Sequence, residues 1–143
     1  MFVIIMGCGR VGARLATMLG KAGHEVTILD TKTSAFARLA DDFPGSTMLG
    51  NGVDQEMLRR AGIERADAFV AATQGDNRNI MASQIAQHIF GVKRVVTRIY
   101  DPDRSDTFAA LGLRAISPTV IGADRFYEEL TGDSAVALDA KGV

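Results

Sequence analysis

One cysteine, three prolines, two histidines and no tryptophan stand in a chain of 143 residues. Each scarcity closes off a class of protein. A lone Cys8 allows no internal disulfide, so nothing ties the chain to an oxidising compartment. His24 and His88 are far apart and have no second cysteine to join them, so no metal cluster is expected. No apolar run approaches the roughly 20 residues that a membrane helix needs. The apolar start Met1–Met6 is too short for the core of a signal peptide. Charge of one sign is missing as well, since 16 basic residues against 17 acidic ones leave −1. A nucleic-acid surface would show as a basic stripe, and none is visible. The run Arg59-Arg60 with Arg65 reads as a solvated helix face. The expectation is a soluble, cytoplasmic domain with no nucleic-acid partner.

What the chain does have is apolar residues, 47%, and 15 glycines. A chain of this length forms one domain and buries about two-thirds of its unfolded surface. Apolar blocks alternate with helical patterns along all of it. Strands are expected at Phe2–Met6, Glu25–Asp30, Thr47–Leu49, Ala68–Ala72, Arg94–Tyr100 and Ala115–Ser117. Helices are expected at Arg10–Lys21, from Thr33 or Ser34 to about Asp42, Gln55–Ala61, Asn77–Phe90, Ser105–Leu111 and Thr119–Leu130. Asp54 and Asp76 are read as helix caps, and Met81, Ile85 and Ile89 as the inward stripe of the fourth helix, with Ile80 alongside. Continuous apolar strands separated by helices predict an α/β, Rossmann-like fold: a doubly wound parallel sheet of about six strands, helices on both faces, single domain. The natural strand order is 3-2-1-4-5-6.

Gly7-Cys8-Gly9-Arg10-Val11-Gly12 joins the first strand to the first helix, the context that makes a glycine pattern specific. Gly7 permits the tight turn, bare Gly9 lets a pyrophosphate or polyphosphate approach the backbone, and Gly12 lets helix and strand pack. The free amides and the positive end of the helix dipole attract the anion. Asp30 ends the second strand, 18 positions after Gly12, where an acid is expected on the ribose hydroxyls. A carboxylate there disfavours NADP. Arg10 either covers the phosphates or is solvated, and Cys8 reads as a small filler rather than a nucleophile. The crevice opens where strand order reverses, at the carboxyl ends of strands one and four. That places Thr73 near phosphate or ribose. Asn51 and Val53 fall beside the adenine, Val53 packing on the ring and Asn51 on its polar edge. A dehydrogenase would need an acid–base group and normally a second lobe. His24 lies at the wrong end of the sheet and His88 rides a helix face. No catalytic residue and no metal ligand is therefore expected.

These segments, with Gly50-Asn51-Gly52-Val53-Asp54, the string Leu58–Thr73, Asp76-x-x-Asn79, Thr97-Arg98 and Ile116-Ser117-Pro118, resemble the RCK/KTN domain. That is the TrkA-type amino-terminal domain of potassium channel and potassium uptake regulators. The resemblance runs from Phe2 to about Leu130. It implies a regulatory subunit of a potassium uptake system that is not an enzyme, peripheral to the inner face of the cell membrane. The subunit would bind NAD(H) or ATP/ADP/AMP and gate a membrane potassium transporter or channel. By motif match Gly7, Gly9, Arg10, Val11 and Gly12, with Cys8 in the same turn, would surround the phosphates. Asp30 would take the ribose and Asn51 and Val53 would line the adenine pocket, with Thr31, Lys32 and Gly52 also in the expected binding site. Ala72, Thr73, Gln74, Asn79 and Arg98 complete the expected site. The family usually carries Asp where this chain has Asn51. It also implies homo-oligomers, dimers or rings of dimers, through the last helix, where Val120, Ala123, Tyr127 and Leu130 with Phe126 make an apolar stripe. Residues 1–131 are expected to be this domain, and 132–143 a short tail or the start of a further domain. The alternatives are a fragment of an NAD-dependent oxidoreductase and a sensor with another partner.

Overall fold

The structure is a computed structural model and describes residues 1–136. The expected tail or further domain at 132–143 lies, from residue 137 on, outside the described residues. Six parallel strands form one sheet: β1 (Phe2–Met6), β2 (Glu25–Asp30), β3 (Ser46–Leu49), β4 (Ala68–Ala71), β5 (Arg94–Arg98) and β6 (Arg114–Ile116). They lie in the order β3-β2-β1-β4-β5-β6, as the alternation of elements predicts. The helices are α1 (Arg10–Lys21), α2 (Gln55–Arg60), α3 (Asp76–Gln84), α4 (Pro102–Ala110) and α5 (Pro118–Thr131).

β1 is the axis of the core. All five of its residues are buried, and the pleat deals them alternately to the two faces. Phe2, Ile4 and Met6 join Leu58, Ile63, Phe69 and Ala82 on one face. Val3 and Ile5 join Cys8, Ala13, Ala16, Val26 and Ile28 on the other. A continuous apolar strand is what a sheet covered on both faces demands. β1 pairs with β2 from Phe2↔Glu25 to Met6↔Leu29 and with β4 from Val3↔Ala68 to Met6↔Ala71. The carboxyl ends of these three strands therefore finish level at the point where strand order reverses.

Three local expectations are corrected. The segment after β2 is a six-residue 3-10 helix, Thr33–Arg38, rather than an α-helix reaching Asp42. Asp76 does not cap α3; Gly75 is its N-cap. The Asp76 carboxylate instead accepts the amides of Tyr100 at 2.8 Å and Asp101 at 3.2 Å, holding the loop after β5. Finally, the inward face of α3 is Asn79, Ile80, Ala82 and Ser83, while Met81 and Ile89 are each 54% exposed. Past Gln84 the helix widens into a π-turn over Ile85–Ile89, which inserts one residue per turn and shifts the phase of the stripe.

Candidate functional site

A cleft of about 520 Å³ opens over the carboxyl ends of β1, β2, β3, β4 and β5, within the usual size of a small-molecule site. The glycine turn forms its floor. Gly7 takes φ +104°, and a Cβ there would stand 2.9 Å from the Thr73 amide nitrogen, so the turn is pressed against the exit of β4. A Cβ on Gly12 would lie 1.9 Å from the Gly7 carbonyl oxygen, so Gly12 serves close packing of helix on strand and does not line the cleft. Gly9 is the reverse case: a Cβ there would meet nothing within 4 Å, and the position faces the open cleft. Gly9 is also the N-cap of α1, with no side chain bonded to the first-turn amides. Those amides stay available to an anion, backed by the helix dipole. By contrast α2, α4 and α5 are capped by the side chains of Asp54, Asp101 and Ser117.

Asp30 sits at the edge of this floor and is held by two backbone amides. Its Oδ2 accepts from Cys8 N at 2.8 Å and its Oδ1 from Lys32 N at 2.9 Å. The Cys8 amide is thereby withdrawn from any phosphate. The carboxylate keeps unused lone pairs on both oxygens, enough to accept two ribose hydroxyls. The Cys8 side chain is fully buried, and its thiol is pushed up from the ordinary range by burial and by the Asp30 charge, with Arg38 pulling the other way. A thiol in that state is a filler, as its sequence context suggests.

On the far wall, Asn79 is a fully buried clamp. Its Oδ1 accepts from the Thr73 amide at 3.0 Å and the Thr73 hydroxyl at 2.6 Å. Its Nδ2 donates to Thr73 O and Arg98 O, both at 2.9 Å. All four of its bonding positions are used inside the protein. Asn79 therefore holds two cleft residues in place and does not itself reach the cavity. Arg98 lies with its guanidinium 4.1 Å from the Tyr100 ring centroid and donates weakly to Ala72 O at 3.4 Å. Its Nε is buried without a partner.

The structure thus gathers most of the expected residues at one cavity. From the glycine turn come Gly7, Cys8, Gly9, Arg10 and Val11; from the exit of β2, Asp30, Thr31 and Lys32. Asn51 and Gly52 contribute from the exit of β3, and Ala72, Thr73, Gln74 and Arg98 from the exits of β4 and β5. Gly12, Asn79 and Val53 stand behind the surface. Val53 is half-buried, packs with Met48 and Met57 against the core and is not among the residues that line the cleft. Among the lining residues that the sequence does not single out are Arg38, Arg78 and Tyr100. No spacing rule singles out either arginine. With them, Arg10, Lys32, Arg38, Arg78 and Arg98 set five cations around one carboxylate, Asp30. The cleft is built for a polyanion that also carries hydroxyls.

Comparison with known proteins agrees with this geometry. Residues 3–118 match the family model of the TrkA-N domain. The chain is 43% identical over 138 residues to the Trk system potassium uptake protein TrkA of Streptomyces coelicolor, covering 96% of this chain and 62% of that protein. Among solved structures it superposes on GsuK bound to ADP with TM-score 0.79 at 25% identity, over 92% of this chain and 34% of that one. The GsuK channel bound to NAD gives TM-score 0.77 at 25% identity, over 89% of this chain and 22% of that one. The carboxyl-terminal domain of Shewanella denitrificans Kef in its AMP-bound form shares the fold, with TM-score 0.79 at 23% identity over 99% of this chain and 89% of that one. The six-stranded sheet, the cleft at its switch point and the matched residues together place the chain in one family: it belongs to the TrkA-N domain family.

Proposed function

We propose that this chain is a regulatory domain of a potassium uptake system and senses adenine nucleotides, NAD(H) or ATP/ADP/AMP, in the cleft described above. The observation that carries the reading is the α1 terminus. Its amides lack a side-chain cap, Gly9 leaves the approach open, and Asp30 waits beside it for a ribose. The name of the Streptomyces relative supplies the potassium system, and the ADP- and NAD-bound GsuK structures supply the ligand class. The chain spans 62% of the length of that relative, so the membrane transporter or channel that it would gate is part of this proposal.

No histidine lines the cleft, and both oxygens of its one carboxylate, Asp30, are engaged by backbone amides. The expected role is binding without turnover. No helix of the described residues is long and apolar enough to cross a membrane. The proposal places the domain in the cytoplasm, against the inner face of the membrane. Signal transfer takes a thermodynamic form: a nucleotide that fits one arrangement of neighbouring domains better than another shifts that equilibrium by its differential affinity, typically about 1–3 kcal/mol.

Titration calorimetry with NAD+, NADH, ATP, ADP, AMP and NADP+ tests the reading. Saturable binding of the adenine nucleotides, with NADP+ weaker than NAD+ because Asp30 repels a 2′-phosphate, is the expected result. An absence of heat with all six would end it. Oxidation of NADH with common carbonyl substrates is expected to be nil, and turnover would favour an oxidoreductase instead.

A further inference from the structure

With Val53 half-buried against the core and absent from the cleft lining, the β2–β3 end of the cleft has room for another surface to meet a base. Met6, Leu29 and Ala35 line that end but are at most 5% exposed, and the exit of β3 adds Gly50, Asn51 and Gly52. None of these presents a broad face. We infer that Arg38 does: its guanidinium plane stacks on the base of a bound adenine nucleotide and so fixes the base's orientation. This rests on the nucleotide reading above and adds to it a residue that nothing else assigns to the site.

The local fold is what aims Arg38. A 3-10 helix repeats every three residues, so positions i and i+3 eclipse one another. Arg38 therefore falls directly in line with Ala35, and both line the cleft. In an α-helix the same two positions would be rotated by about 60°, carrying Arg38 off this edge. Ala35 is 5% exposed, and Phe36 and Leu39 pack beside it on the α1 side of the core, so a seated element presents the arginine. Six residues is also long for a 3-10 helix, a form that usually runs three or four.

The charge around Arg38 points the same way. Among the described residues it joins no ion pair, although Asp30 shares the cleft with it. It lines the same cleft as Cys8 and Asp30, from the element that follows β2. Lys32 nearby is a point charge without a plane, and only arginine offers both a cation and a flat stacking face. The remaining guanidiniums come from other elements, Arg10 from α1, Arg78 from α3 and Arg98 from β5, and that of Arg98 already lies on the Tyr100 ring.

Titration calorimetry on the full chain decides the matter, comparing wild type, Arg38→Ala and Arg38→Lys with AMP, ADP, ATP, NAD+ and NADP+. Stacking predicts that Arg38→Ala weakens AMP, ADP and ATP by one common factor, about three- to tenfold, and that Arg38→Lys recovers little of it. Arg38 is exposed, so the thermal midpoints of both variants should match wild type and certify their fold. A loss that grows from AMP to ATP would assign Arg38 to the phosphates and overturn the inference. Full rescue by lysine would reduce the residue to a point charge and overturn it equally. A loss in Arg38→Ala that is larger for NADP+ than for NAD+ would mark a 2′-phosphate contact and overturn it too. Wild type that binds no nucleotide would defeat the nucleotide reading itself, before any variant is measured.

Discussion

At the scale of single residues, Asn79 carries more structure than any other polar group near the cleft. Its four hydrogen bonds join the exit of β4 to the exit of β5, and it is fully buried. Asn79→Ala strands the Thr73 amide and the Arg98 carbonyl without partners, each costing about 1–3 kcal/mol when buried. Denaturant unfolding should show a loss of about 2–4 kcal/mol. Nucleotide affinity should fall as well, since Thr73 and Arg98 lose their positions; unchanged stability would mean that the clamp is dispensable. Cys8 gives a pH test. Its thiol is raised mainly by burial, so the fold prefers the protonated form. The native state therefore holds its full stability below the ordinary thiol range and loses some as pH climbs from that range towards the raised value. Reaction with a thiol reagent should be slow at pH 8 in the native state and quick in denaturant, and its rate in native protein should rise only above the ordinary thiol range. Prompt native labelling at pH 8 would contradict the buried assignment. Part of this is legible in the sequence: Asp30 and the glycine turn follow from spacing alone. The role of Asn79 does not, because a motif gives its position but not that all its bonds are spent inside the protein.

Elements show the same division more sharply. The glycine turn contains two positions that look alike in sequence and differ in three dimensions. Gly12→Ala drives a methyl to 1.9 Å from a backbone oxygen, with no flexible side chain to give way, and should cost about 3 kcal/mol or more or prevent folding. Gly9→Ala meets nothing within 4 Å, and its φ of −79° suits alanine, so the fold should lose less than about 1 kcal/mol. Its methyl would nevertheless stand where a phosphate must approach the amides. Affinity for every adenine nucleotide should drop by about tenfold or more, ~1.4 kcal/mol. Thermal unfolding paired with calorimetry separates the two, and a stable Gly12→Ala protein or a Gly9→Ala protein of normal affinity would refute the assignments. All six strands are readable to within a residue or two, most plainly β1, because a strand buried on both faces is written as an unbroken apolar run. The inward face of α3 is not. Apart from Ile80 it is small or polar, with Ser83 accepting a hydrogen bond from Thr97 Oγ1 at 2.6 Å, so hydrophobicity points partly to the outward face instead. The 3-10 helix escapes for a related reason: its apolar residues satisfy either helical repeat over so short a span.

For the whole molecule, the unequal distribution of exposed apolar surface matters most. None of the 14 residues of α5 is buried, so this helix does not close its own sheet. Val120, Ile121, Phe126 and Leu130 are exposed by 39%, 58%, 75% and 85%, and Leu111 and Ile116 add to them at the β6 end. β6 itself is a three-residue edge strand, a short edge of the kind that resists sheet-to-sheet pairing. That leaves the helix as the natural contact, and we propose a second copy of the chain as its partner. In a two-fold dimer each buried side chain counts twice. Burying Phe126 and Leu130 from both copies would supply about 6–12 kcal/mol in gross terms. Association costs about 4–15 kcal/mol in lost freedom, so the balance is close and the dimer should form and dissociate with concentration. Sedimentation velocity over a dilution series should show the wild-type chain moving from dimer towards monomer. Phe126→Glu with Leu130→Glu should be monomeric throughout, with an unchanged thermal midpoint and intact nucleotide binding, because both side chains are exposed and no residue of α5 lines the cleft. A wild-type chain that is monomeric at every concentration would assign this surface to a different partner, and the membrane transporter or channel of the proposed function would become the first candidate to test against it.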